Sequence, residues 1–259
     1  MTSPVTPERV QIPTGSPQAL PALLWRPDGP APAGGRPGIV LLQEIFGLSA
    51  YIRQRAADLA DLGAVVLAPQ LYARLTPPID ATDEHDDPDQ LLAEGMAAMQ
   101  ALPWEQATAD ALAALDHLRT LDGVDPQRVG LMGFCYGGGL AYQVTADAAR
   151  AGRAPAVLVS FYGSALPQLT DLADHVTVPS LHVFGTADDF IPLPEVERIR
   201  DAVTASGSRP QVEFELFDGA GHAFDNPLPP FHHAEASRAA WTHTEEFLRR
   251  TLLRDDDQG

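Results

Sequence analysis

One stretch constrains this chain more than any other. Gly133-Phe134-Cys135-Tyr136-Gly137 follows the apolar run Val129 to Met132 and opens a helix-patterned segment from Gly138 onward. The order reads as a strand, a sharp turn and a helix. A residue at the apex of such a turn sits in strained backbone, and its flanking positions must be glycine, because a side chain there would strike the neighbouring strand and helix. Gly133 and Gly137 meet that need. The sulfur of Cys135 then lies at a helix N-terminus, where unpaired N–H groups favour the thiolate. The alternative is a small buried hydrophobe at a strand end, the common setting of a free cysteine.

The pattern on either side alternates strands with helices. Val10 to Ile12 and Ala19 to Trp25, around a Gly15-Ser16-Pro17 turn, predict an opening antiparallel hairpin. Gly38 to Leu42 and Ala64 to Ala68 are continuous apolar runs, as expected of strands buried on both faces. Between them Ile52, Ala56, Leu59 and Leu62 share a helical face that Gly63 ends, which makes a βαβ unit. Further strands are expected at Ala156 to Phe161, Ser180 to Phe184 and Val212 to Phe217. Helices are expected around Leu91 to Ala101, through Ala111, Leu115 and Leu118, after the elbow, through Val196, Ile199 and Val203, and from Ala234 to Leu253. The fold class is therefore α/β: a mostly parallel central sheet flanked by helices on both faces, in a single domain spanning 1–259 with its ordered core at about 8–253. Gln70 to Gln90, carrying Asp80, Asp83, Glu84, Asp86, Asp87 and Asp89 among prolines, reads as a solvated acidic loop, and Asp255 to Asp257 as a solvated tail.

Charge and spacing exclude several functions. A net charge of -18 disfavours nucleic acid or an anionic membrane as partner. No basic stretch followed by an apolar run opens the chain, and no eighteen apolar residues run together, so neither a signal peptide nor a transmembrane helix is expected. With a single cysteine no internal disulfide can form; the expected protein is cytoplasmic, a monomer or small homo-oligomer. His85, His117, His175, His182, His232, His233 and His243 fall in no metal spacing, and H-E-x-x-H and C-x-x-C are absent. No metal and no cofactor are expected.

In a parallel sheet, ligands sit off the carboxyl ends of the strands. Besides Cys135, the residues just beyond strand runs are Glu44, Asp188 and His222. Singly, His222 could be a backbone-bonded loop histidine and Asp188, beside Asp189, an ordinary turn residue. Together they give the order nucleophile, acid, base. That order, with G-x-C-x-G in place of G-x-S-x-G, is similar to the α/β-hydrolases.

The resemblance narrows further. Gln43-Glu44-Ile45-Phe46-Gly47, Leu71-Tyr72-Ala73-Arg74, Gly133 to Gly138, Asp188-Asp189-Phe190-Ile191-Pro192 and Gly219-Ala220-Gly221-His222-Ala223-Phe224 resemble, in order, the dienelactone hydrolase family. The resemblance implies an α/β-hydrolase fold and a Cys135-Asp188-His222 triad that opens an ester or lactone bond of a small molecule. It also implies an oxyanion hole from the backbone N–H groups of Ile45 and Tyr136, with Glu44 contacting the cysteine. Arg74 and Asn226 are the candidate substrate contacts. Members that cleave dienelactone hold its carboxylate with two arginines, one after the Tyr-Ala-Arg stretch and one four residues beyond the histidine. Here the latter position is Asn226, and no arginine occurs between Arg74 and Arg119. A carboxylesterase or thioesterase on a neutral or cationic substrate is the nearest alternative, and a redox-sensing thiol module the more distant one.

Overall fold

The computed structural model describes residues 6–81 and 87–253. Asp83, Glu84, His85 and Asp86 of the acidic stretch, and the tail at Asp255 to Asp257, lie outside the described residues.

The apolar runs become the strands. β1 (Glu8–Ile12) pairs antiparallel with β2 (Leu20–Trp25), and β2 pairs antiparallel with β4 (Val65–Pro69). β3 (Arg36–Leu42) lies parallel to β4 and to β5 (Val124–Phe134). β6 (Leu158–Phe161), β7 (Ser180–Gly185) and β8 (Val212–Phe217) continue the parallel array. The strand order is β1-β2-β4-β3-β5-β6-β7-β8, and the architecture is the α/β-hydrolase fold. Successive side chains of a strand point to opposite faces, and every position of β4, β6 and β7 is buried, so helices must cover both faces.

Those helices are α1 (Ala50–Asp61), α2 (Pro88–Ala101), α3 (Trp104–Leu118), α4 (Tyr136–Arg150), the single turn α5 (Leu166–Leu169), α6 (Leu193–Val203) and α7 (Ala234–Thr251). Most of α4 is buried, as befits the helix that follows the innermost strand. Short 3-10 turns occupy Leu71–Arg74 and Thr170–His175. No helix among the described residues is long and apolar enough to cross a membrane.

Two boundaries differ from the sequence expectation by more than two residues, the starts of α2 and of β5. Asp87 and Asp89 do not sit in a loop: Asp87 caps α2 by accepting from the Asp89 N–H at 3.0 Å, and Pro88 occupies the first helical position. An acidic cap followed by proline is a helix start. β5 begins at Val124 rather than Val129, because Arg36 pairs with Val124 before a register shift lets Gly38 resume against Val129. The polar residues between, Asp125 to Arg128, hide that first pairing from an apolar pattern.

Candidate active site

The turn between β5 and α4 holds Cys135 at φ 52 and ψ -114, a conformation costly for a residue with a side chain. Its neighbours explain how the strain is held. A Cβ on Gly133 would lie 2.1 Å from the Gly137 carbonyl oxygen, and one on Gly137 would lie 2.3 Å from that of Leu42. Only glycine permits this approach. The Cys135 N–H donates to the Phe161 carbonyl at 2.9 Å, and its carbonyl accepts from Gly138 at 3.0 Å and Ser164 at 3.0 Å. The apex is thereby tied to β6 and to α4.

Asp188 and His222 come to the same rim from the ends of β7 and β8. One Asp188 oxygen, Oδ1, accepts from the Phe190 and Ile191 N–H groups at 2.8 and 2.9 Å, which fixes the carboxylate. The other, Oδ2, meets His222 Nδ1 at 2.7 Å. His222 Nε2 lies 3.1 Å from Cys135 Sγ. Burial opposes charge on the imidazole, but the Cys135 sulfur and the Asp188 hydrogen bond outweigh it and push His222 up to about 10. Both contacts favour the charged form of the ring, which stands between Asp188 Oδ2 and Cys135 Sγ. Tyr162 packs its ring 5.3 Å from that of His222.

Around the sulfur, the backbone N–H groups of Ile45 and Tyr136 have no acceptor among the described residues. Tyr136 opens α4, so its N–H is one of the four that a helix leaves unpaired. Tyr72 donates to the Ile45 carbonyl at 2.9 Å and so fixes the orientation of that segment. A cavity of about 110 Å³ adjoins the sulfur, bounded by Glu44, Ile45, Cys135 and His222 and by apolar side chains of α2. No group of three or more His, Cys, Asp or Glu among the described residues is arranged to hold a metal ion.

The family model described as the dienelactone hydrolase family matches residues 20–252. The chain belongs to the dienelactone hydrolase family. The carboxymethylenebutenolidase of Pseudomonas putida is 31% identical over 212 residues, covering 82% of this chain and 85% of that protein. Among solved structures, a dienelactone hydrolase-like promiscuous phosphotriesterase from metagenomic libraries superposes with a TM-score of 0.76 at 23% identity, covering 96% of this chain and all of the other. The dienelactone hydrolase of Anabaena variabilis does so with 0.67 at 20%, with the same coverage. At these identities the two structures bear on the fold alone.

Within this family member, Glu44, Ile45, Cys135 and His222 line one cavity, Asp188 stands behind the His222 ring and Tyr136 follows Cys135 at the start of α4, whereas two expected substrate contacts lie elsewhere. Arg74 turns away to Asp110, which it grips with two hydrogen bonds of 2.8 Å, and it also donates to the Gln18 carbonyl. Asn226 is buried; its Nδ2 donates to Glu44 Oε1 at 2.6 Å and its Oδ1 accepts from Leu228. Both side chains are thereby occupied, Asn226 as a clamp on Glu44 rather than as a wall of the cavity. The network of Arg55, Tyr51, Tyr162 and Asp225 behind His222 carries no sequence signal, because its hydrogen bonds span 111 to 174 positions and match no motif. Met96 and Met99 of α2 escape notice for the opposite reason: methionine at helical spacing looks like ordinary core.

Proposed function

We propose that this protein hydrolyses a carboxylic ester or lactone by covalent catalysis at Cys135. The observation that carries this reading is the continuous relay from Asp188 Oδ2 through the His222 ring to Cys135 Sγ, with contacts of 2.7 and 3.1 Å. In this reading the thiolate attacks the carbonyl carbon, and the carbonyl electron pair moves to oxygen, where the Ile45 and Tyr136 N–H groups receive the charge. Collapse of the tetrahedral adduct breaks the bond to the leaving alkoxide, which takes the proton from His222 Nε2. The now neutral imidazole removes a proton from water, the resulting hydroxide attacks the thioester, and expulsion of the thiolate releases the acid and restores the ion pair. Asp188 holds the imidazole in the required tautomer throughout.

Cys135→Ala should leave the circular dichroism spectrum unchanged and lower turnover of p-nitrophenyl acetate by about 10³-fold or more, the scale for loss of a nucleophile. The native protein, quenched in acid during turnover, should carry an acetyl group at Cys135 by peptide mass spectrometry. Turnover retained in the alanine variant would remove Cys135 from the mechanism.

A further inference from the structure

The cavity beside Cys135 has a chemical bias that ester hydrolysis alone does not require. Leu92, Met96 and Met99 recur at helical spacing, so one face of α2 forms a wall, and Phe46 and Phe231 stand among the other lining residues. Gly95 brings that helix close: a Cβ there would lie 2.9 Å from Phe46 Cδ1 and 3.2 Å from Ile45 Cγ1. The wall is therefore seated directly on the segment that carries the Ile45 amide.

No arginine or lysine lines this cavity among the described residues. Arg74 is spent on Asp110, and Arg55 on Asp225. The positive charge of His222 is already faced by Asp188 and the Cys135 sulfur, and the remaining ionisable neighbour is the carboxyl of Glu44. A substrate carboxylate entering here would lose its water shell, gain no cation and approach a second carboxyl group. An uncharged chain meets methionine, leucine and phenylalanine. At the mouth, the lining residue Phe190 is a large hydrophobic exposed at 61%, and its ring lies 5.1 Å from that of His222. The rim thus continues the apolar lining outward.

We propose that the substrate carries an uncharged, short apolar acyl group, and that Met96 and Met99 set both its length and the exclusion of anions. This rests on the cysteine hydrolase reading above, since the acyl group is the part that stays on Sγ within the cavity. Size follows from volume: a cavity of roughly 150 Å³ takes the six carbons of benzene, so about 110 Å³ accommodates about four.

The test compares kcat/KM for p-nitrophenyl acetate, butyrate and octanoate with that for mono-p-nitrophenyl succinate, which matches butyrate in length but carries a carboxylate. Butyrate should be the best of the neutral series, and the succinate should fall about 100-fold or more below it. Met96→Arg should narrow that gap by about 10-fold or more by supplying the missing cation. If that variant does not fold, Met99→Ala should move the optimum to a longer chain. Succinate turnover within about threefold of butyrate, or rates rising through octanoate, overturns the proposal. Peptide mass spectrometry separates its failure from that of the underlying reading: an acyl adduct on Cys135 from neutral and anionic esters alike sinks the selectivity alone, and no adduct from any ester sinks the nucleophile and the selectivity together.

Discussion

At the scale of single residues, the site turns on how much of the charge on His222 is owed to its neighbours. Burial disfavours the imidazolium, yet the sulfur and Asp188 raise it to about 10. A group raised in this way keeps its proton below the ordinary histidine range and loses it only as pH climbs through the raised value. The leaving group needs that proton, so kcat/KM for p-nitrophenyl butyrate should hold through neutral pH and fall on an alkaline limb near pH 10. Asp188→Asn removes one of the two supports while leaving the sulfur in place. The alkaline limb should then move to lower pH, and kcat should fall by about 10³–10⁴-fold, as when the orienting carboxylate of a hydrolytic triad is neutralised. A limb that stays put in the variant would show that Asp188 does not govern the charge of the ring.

Between elements, the loop after β8 that carries His222 is held to α1 and α7 by a buried ion pair. Arg55 binds Asp225 through Nε at 2.8 Å and Nη2 at 2.6 Å, and its guanidinium lies 4.1 Å over the Trp241 ring. Tyr51 donates to Asp225 Oδ2 at 2.6 Å, so the 3.2 Å contact between Tyr51 and Tyr162 has Tyr162 as donor. Ser237 of α7 donates to Oδ1 at 2.7 Å. Burial opposes the charge of Arg55, and Asp225 more than restores it. Arg55→Ala would strand a carboxylate that is fully buried, at a cost of about 3 kcal/mol, and restoring neutrality with Asp225→Asn in the same chain should recover part of it. Urea denaturation measures both; a loss below about 1 kcal/mol would mean that the pair does not anchor the loop. Such pairs mark the boundary of what a linear pattern conveys. The strands of the sheet and the order Cys135, Asp188, His222 are legible because each depends on local periodicity or on a turn signature. The start of α2 was legible too, in Asp87-Pro88, but the surrounding acidity masked it. The partners of Asp225 on α1, the clamp of Asn226 on Glu44 and the diversion of Arg74 to Asp110 depend on contacts across 36 to 182 positions, for which neither periodicity nor spacing carries a mark.

For the molecule as a whole, the decisive quantity is the imbalance of 35 acidic against 17 basic residues, every one of the latter arginine. Several of those arginines are already bound to carboxylates, as in Arg53 with Asp80, Arg128 with Asp125 and Arg209 with Asp174, so the excess negative charge is left to act on whatever approaches. A field of this sign raises the local concentration of cations, lowers that of anions and leaves neutral molecules alone. It acts on encounter, separately from the fit within the cavity. Salt distinguishes the two, because the screening length shrinks from about 30 Å at 0.01 M to about 3 Å at 1 M while contacts inside a buried cavity change little. Across that range kcat/KM should fall several-fold for acetylthiocholine, rise several-fold for mono-p-nitrophenyl succinate and stay within about twofold for p-nitrophenyl butyrate. Parallel salt responses for all three would mean that the charge of the surface does not reach the rim at Phe190, and that selection is made by the cavity wall alone.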